Sequence, residues 1–168
     1  ELGGACEENS FIKTLTGLDS ARFQEWRLHD LAERESVRFV LTHAFPETLE
    51  RIAGNASFYP VWKKTTTSWA DVQDMLENIK NVLVHAGNPM PREAFMTATR
   101  EVLPKGITVG DEIIAEWVRM VRTIEQNTLG LWGLTSWPSI VPKRIGDKID
   151  LVFQREERPL HFRDITQM

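Results

Sequence analysis

Basic side chains are the residues of this chain with the clearest chemical use, because lysine and arginine neutralise the phosphates of nucleic acids. They occur in pairs and short clusters along the sequence. The candidate nucleic-acid-binding residues are Lys63, Lys64, Arg119, Arg122, Lys143, Arg144, Lys148, His161 and Arg163. Binding to a duplex requires several of these groups to converge on one face of the protein.

The pair Lys63-Lys64 precedes three threonines at residues 65–67. It is predicted to lie just past a strand, where threonine hydroxyls also donate to phosphate. The alternative is a pair of lysines on an ordinary solvated loop. The sequence leaves both interpretations open.

Residues 143–163 are the most basic segment of the chain. Its six basic side chains are Lys143, Arg144, Lys148, Arg155, Arg158 and Arg163. Four carboxylates are interleaved with them and dilute the positive charge: Asp147, Asp150, Glu156 and Glu157. A phosphate-contacting surface and a merely solvated face both remain possible here.

The helices and strands of the fold must position these side chains. Apolar periodicity and turn residues predict where those helices and strands lie. Helices are expected over residues 21–31, 33–43, 68–85, 91–102 and 111–122, after a loose N-terminus. Strands are expected over residues 48–53 and 57–63, and again over 123–126 and 129–137, as two hairpins. Asn55 and Asn127 occupy the two predicted turns at matching offsets from Ile52 and Ile124.

Two segments of the sequence resemble each other, since residues 79–95 align without a gap with residues 149–165. The shared pattern is an apolar helix end, a polar turn, Pro89 or Pro159, a large apolar residue and a second short helix. Such a repeat indicates a small helical module that is used more than once.

The predicted fold class is therefore mainly α with small β-hairpins, as tandem winged-helix (helix-turn-helix) modules. Residues 1–68 are expected to form a divergent N-terminal module and residues 69–140 a winged-helix module. Residues 141–168 would begin a further, truncated module. The chain is interpreted as a piece of a longer protein.

Composition sets further bounds. The 168 residues carry a formal net charge of −4, graded from acidic at the start to about neutral at the end, so the chain as a whole has no basic footprint. The sequence contains no long apolar run and no signal segment, which predicts a cytoplasmic protein that does not associate with membranes. Cys6 is the single cysteine, which excludes an internal disulfide and argues against a structural zinc site.

The third helix of the second module begins with Asp111 and Glu112. In a winged helix this element enters the major groove by its N-terminal residues. Carboxylates suit a helix N-terminus but face phosphate unfavourably. Base reading by this helix is not expected, and only Arg119 and Arg122 near its far end are candidate contacts.

Six tryptophans also require an explanation. Trp26, Trp69 and Trp117 fall on apolar helix faces and are predicted to be core. Those on or beside the predicted wing strands are Trp62, Trp132 and Trp137, with Phe58 and Tyr59 nearby. These aromatics are expected to pack the wings onto the helices; the alternative is an exposed docking surface.

The segment Pro159–Ile165, which reads PLHFRDI, resembles the signature of the HARE-type helix-turn-helix family. The preceding residues 132–138 and 142–152 resemble bacterial sigma-factor-like proteins that carry this winged-helix module in series. Only the later copy carries the motif in full, because Pro91-Arg92-Glu93 stands where the third module has His161-Phe162-Arg163.

The resemblance implies a DNA-associated role in transcription, with DNA or RNA polymerase subunits as partners and a location at the nucleoid. The alternative is a protein-interaction scaffold that docks on polymerase or another subunit without touching nucleic acid. No enzyme, cofactor or small-molecule substrate is expected. The histidines are scattered, no glycine-rich phosphate loop occurs, and adjacent carboxylate pairs cannot share a proton.

Overall fold

A computed structural model describes residues 4–16, 27–104 and 109–156 of the chain. These residues form a mixed α/β structure with six helices and two small three-stranded antiparallel sheets. The elements are β1 (Ala5–Glu7), α1 (Glu8–Thr16), α2 (Arg27–Ala44), β2 (Leu49–Ile52), β3 (Val61–Lys64), α3 (Trp69–Ala86), β4 (Met90–Pro91), α4 (Arg92–Val102), α5 (Asp111–Arg119), β5 (Ile124–Gln126), β6 (Leu131–Leu134) and α6 (Ile145–Glu156). No helix within the described ranges combines the length and the apolar character that crossing a bilayer requires.

The chain divides into two compact units. The first comprises Glu1–Glu77 with Pro104–Arg122, and the second comprises Asn78–Leu103 with Thr123–Met168. Helix α3 passes from the first unit into the second, and α5 packs in the first unit, where it contacts β1. The module boundaries predicted after residues 68 and 140 stay a prediction.

Both predicted hairpins are confirmed, and each gains a third strand that the sequence did not predict. In the first sheet the strand order is β1-β3-β2, and in the second it is β4-β6-β5. In each sheet the last strand of the hairpin is therefore central. The added strands have only three and two residues, too short to leave an alternating pattern in the sequence.

The prediction of a loose N-terminus was wrong, because β1 and α1 occupy it. Strand β1 exists through pairing with β3, which is a tertiary interaction. The carboxylate of Glu7 then begins α1, since its two oxygens accept the backbone N–H groups of Asn9 and Ser10, each at 2.9 Å. A carboxylate at this end also favours the helix dipole.

Two helices were predicted between residues 21 and 43, but the described part of this region is a single helix, α2. No glycine or proline separates the two apolar patterns, so nothing ends the helix between them. Residues 21–26 lie outside the described part of the chain, and the prediction for Trp26 lies there too.

The boundaries of α3 follow their sequence signals. Ser68 Oγ accepts the N–H of Asp71 at 3.3 Å, which satisfies one of the free donors of the first turn. At the other end Gly87 adopts a φ of 67° and donates its N–H to Leu83 O at 3.0 Å. A left-handed glycine of this kind is the usual way to stop a helix.

Each compact unit has its own buried apolar residues. In the first unit Trp62, Cys6 and Leu41 form a cluster, with Phe11, Val37 and Leu49 packed against it. In the described part of the second unit the fully buried side chains are Ile79, Leu83, Phe95 and Met96, together with the polar Thr99. Phe95 stacks on Trp132 with ring centroids 5.8 Å apart, which fixes α4 against β6.

Candidate nucleic-acid interface

The sequence suggested that the lysine pair Lys63-Lys64 lies just past a strand, but the structure places both residues within one. Both residues belong to β3, the central strand of the first sheet. Lys63 is paired in register with Glu50 of β2, and its Nζ lies 2.5 Å from Glu50 Oε2. Only 5% of Lys63 is exposed, so it is withdrawn from solvent and its charge is neutralised. Lys64 is exposed and remains a candidate phosphate contact.

The two arginines near the end of α5 differ in their availability. Arg119 is exposed but is ion-paired with Glu116 one turn earlier. Glu116 also accepts a hydrogen bond from Ser10 Oγ at 2.6 Å, which holds the carboxylate in place. Arg122 is exposed, and its Nε donates to Phe58 O at 3.1 Å. No ion pair of Arg122 occurs among the described residues.

Three of the candidate basic residues lie at the start of α6 in the second unit. The side chains of Lys143, Arg144 and Lys148 are exposed and form no ion pair with any described residue. The N–H of Lys148 donates to Arg144 O at 3.3 Å, so these two residues are one helical turn apart. Residues at this spacing share a face of a helix.

Asp147 organises this cluster without neutralising its side chains. Its Oδ2 accepts the backbone N–H groups of Lys143 and Arg144 at 3.2 and 3.0 Å. The carboxylate thus caps α6, as an acidic residue in the first turn commonly does. Lys143, Arg144 and Asp147, with Ser136, Pro138 and Val141, also line a cavity of about 290 Å³. We name the exposed residues Lys143, Arg144 and Lys148 the α6 basic cluster.

The two remaining candidates, His161 and Arg163, lie outside the described residues, as do Arg158 and the motif at Pro159–Ile165.

The wing aromatics are largely used for packing. Trp62 and Phe58 are 1% and 5% exposed, and Trp132 stacks on Phe95. Of the tryptophans predicted to be core, Trp117 is buried, and Trp69 is half-buried with its ring edge-on to Phe58. The exception among the wing aromatics is Tyr59, which is 38% exposed.

One charged cluster was not predicted at all. Glu8, which is 4% exposed, lies between two arginines of the first unit. Arg38 Nη2 is 2.5 Å from Glu8 Oε1, and Arg51 donates to both carboxylate oxygens through Nε and Nη2. The three residues are 30 and 43 positions apart in sequence, so no local pattern links them.

Cys6 does not provide a reactive thiolate. Burial, and then the neighbouring carboxylates Glu116 and Glu7, raise the pKa of its thiol to about 12. Its Sγ lies 3.8 Å from Trp62 O, to which the thiol donates. Within the described ranges, no group of three histidine, cysteine or carboxylate side chains is placed to hold a metal ion.

Comparisons with protein-family models, with curated proteins and with solved structures find no match to this chain.

Proposed function

We propose that the chain is a DNA-associated transcription protein of sigma-factor-like type, built from tandem winged-helix modules of HARE type. A winged-helix module of this kind runs helix, strand, helix, helix and a two-stranded wing. The observation that carries the proposal is a repeated element order. Along the sequence, the order strand, helix, helix, strand, strand occurs from β1 to β3 and again from β4 to β6, with the same strand order in both sheets, while α5 of the second set packs in the first compact unit.

The turns of the two hairpins support the same duplication. Asn55 Oδ1 accepts the N–H groups of Ser57 and Phe58 at 2.8 and 2.9 Å. Asn127 Oδ1 accepts those of Leu129 and Leu131, both at 3.0 Å. Asparagine closing its own turn in both hairpins is the arrangement that the matched sequence positions predicted.

The α6 basic cluster is the surface best suited to contact phosphate. Lys143 and Arg144 directly precede α6 and Lys148 lies in its first turn, and none of the three side chains forms an ion pair with a described residue. Lys63 and Arg119, in contrast, already have carboxylate partners. The proposed mechanism is binding, in which weak contacts of modules in series add through their tethering.

We predict that Lys143→Ala combined with Arg144→Ala weakens binding to duplex DNA by about tenfold at low salt. The double variant should also reduce the slope of log K against log salt by about 1.8, because each phosphate contact contributes about 0.9. The measurement is fluorescence anisotropy of a labelled duplex at two salt concentrations. Lys13→Ala is the control, since Lys13 is an exposed lysine outside the cluster and its loss should leave the slope unchanged. A wild-type protein that does not bind at low salt would exclude direct duplex contact.

The second candidate function is a scaffold that docks on RNA polymerase or another subunit. The observation that favours it is a set of exposed apolar side chains at the end of α2, where Phe39, Val40 and Phe45 are 63%, 53% and 49% exposed. Size-exclusion chromatography with purified core polymerase separates the two functions. A scaffold would co-elute with polymerase, would lose that binding on Phe39→Glu, and would show no DNA affinity.

A further inference from the structure

The loop that joins β2 to β3 carries an exposed tyrosine stacked against an arginine. The guanidinium carbon of Arg122 lies 4.3 Å from the centroid of the Tyr59 ring, within the range of a cation–π contact. Tyr59 is 38% exposed and Arg122 is also exposed. Both side chains reach solvent within the first unit, with the guanidinium over one face of the ring.

Main-chain hydrogen bonds fix both members of this pair. Tyr59 donates its N–H to Met120 O at 2.9 Å, and Arg122 donates its N–H to Ser57 O at 2.8 Å. Arg122 Nε uses Phe58 O as its acceptor at 3.1 Å. The Arg122 side chain is thus oriented from two directions, and much of the conformational entropy that ligand binding would otherwise cost is already lost.

The surroundings of the pair are open. The residues of the loop before Ser57 are small or polar, and Ala53, Gly54, Asn55 and Ala56 are all exposed. The remaining aromatic of the loop, Phe58, is buried and packs edge-on against Trp69. The fold therefore uses one of two adjacent aromatics for its core and leaves the other at the surface.

We propose that Tyr59 and Arg122 form a stacking site for an unpaired nucleobase, so that the first unit binds single-stranded nucleic acid. Every base has a π-face, and stacking on an aromatic ring or a guanidinium plane is the usual way in which proteins hold unpaired bases without reading their sequence. The charge of Arg122 also favours the adjacent phosphate. This inference rests on the proposed role in nucleic-acid binding, and it adds a second ligand class at a second place.

The geometry favours a base over a duplex phosphate as the ligand. A contact with phosphate needs only a positive charge, which a lysine side chain would supply equally well. The face of a tyrosine ring adds nothing to such a contact. A base can stack on the free face of one of these planar groups, while the other group supports that plane from behind. The chemistry at Tyr59 and Arg122 therefore matches a nucleobase better than a phosphate alone.

The chain offers a direct probe, because Tyr59 is its single tyrosine. Protein labelled with 3-fluorotyrosine gives one ¹⁹F resonance, which reports on this ring alone. It is titrated at low salt with an eight-residue oligothymidylate and with an abasic oligonucleotide of equal length. We expect the oligothymidylate to shift the resonance in a saturable manner and the abasic oligonucleotide to leave it in place.

Three variants separate stacking from charge. Tyr59→Leu and Arg122→Lys should each weaken oligothymidylate binding by about tenfold, because each removes a planar surface. Tyr59→Phe keeps the ring and should bind as the wild type does. Circular dichroism confirms that each variant is folded. The proposal is overturned if the abasic oligonucleotide shifts the resonance equally, or if Tyr59→Leu binds oligothymidylate as tightly as the wild type.

The test distinguishes this site from the proposed duplex contact. Loss of duplex binding in Lys143→Ala/Arg144→Ala with retained oligothymidylate binding would support the stacking site. Wild-type protein that binds duplex but not oligothymidylate at low salt would overturn the stacking site alone. Wild-type protein that binds neither ligand would overturn both proposals.

Discussion

Replacing Glu8 by alanine should destabilise the first compact unit by about 3 kcal/mol, because removal of one partner from a buried ion pair leaves an uncompensated charge. Here two arginines lose their counter-ion, since Arg38 and Arg51 both donate to the Glu8 carboxylate. Their side chains are 29% and 28% exposed, so water partly compensates, and we expect the lower end of the usual range. The measurement is urea unfolding at pH 7, followed by tryptophan fluorescence.

The matched control for this prediction is Glu35→Ala. Glu35 also pairs with Arg38, but its side chain is 64% exposed and it lies one turn away on the same helix. Exposed pairs of this kind contribute about 0.5 kcal/mol or less. Equal destabilisation by the two substitutions would show that burial of Glu8 adds nothing to the stability of the protein, which would contradict the prediction.

The ion pairs of Glu8 with Arg38 and Arg51 should also make the stability of the protein depend on pH. Burial alone would raise the pKa of Glu8, but hydrogen bonds and charge from Arg51 and Arg38 outweigh it and lower the pKa below its ordinary value of 4.5. The unfolded chain then binds more protons than the folded chain, so this stabilisation is complete above pH 4.5 and is lost as the pH falls through the folded pKa. Glu8→Gln should therefore show a smaller loss of stability between neutral and acid pH than the wild type. Parallel curves for the two proteins would contradict the assignment.

Replacing Asn127 by alanine should lower the free energy of unfolding by about 2–3 kcal/mol. Three hydrogen bonds are lost in this variant, and their partners are left unsatisfied. Asn127 is 8% exposed. Its Oδ1 accepts from Leu129 and Leu131, and its Nδ2 donates to Ser139 O at 2.8 Å. The side chain thus joins the β5–β6 turn to the segment that follows β6. Urea unfolding at neutral pH measures the change.

Asn55 provides the comparison for Asn127 within the same chain. Its side-chain oxygen also accepts two backbone N–H groups within its own turn, those of Ser57 and Phe58, but it is exposed. Water replaces its lost hydrogen bonds, so Asn55→Ala should cost no more than about 1 kcal/mol. If Asn55→Ala destabilised the protein as much as Asn127→Ala, burial would not be the deciding factor.

The sequence predicted those elements whose signals are local. The apolar periodicity and caps of α3, the helix at α4 and the asparagine turns of both hairpins depend on residues within a few positions of each other, and the structure contains all of them. The internal repeat likewise predicted that the segment from residue 149 begins with the end of a helix, as the segment from residue 79 does, and α6 covers residues 145–156. The repeat did not predict burial, since Leu83 is fully buried whereas the aligned Phe153 is 41% exposed.

Tertiary structure decided which charges are available. The sequence predicted Lys63 and Lys64 alike as phosphate contacts. Pairing of β3 with β2 buries Lys63 against Glu50 and leaves Lys64 exposed. The sequence also ranked Arg119 with Arg122, but only Arg122 is held against Tyr59, which is 63 residues away in the chain. The α6 basic cluster could be predicted because its members are neighbours in sequence.

By itself the sequence determined α3, α4, α5, the two hairpins and the cluster of cations at the start of α6. Helix periods, capping residues and turn asparagines act over a few residues, so their effect can be read without knowing the fold. The third strand of each sheet, the placement of α5 on β1, the buried Glu8 with its arginines and the Tyr59–Arg122 pair were decided by tertiary structure alone. Each of these depends on groups that are distant along the chain and meet only when the backbone has folded.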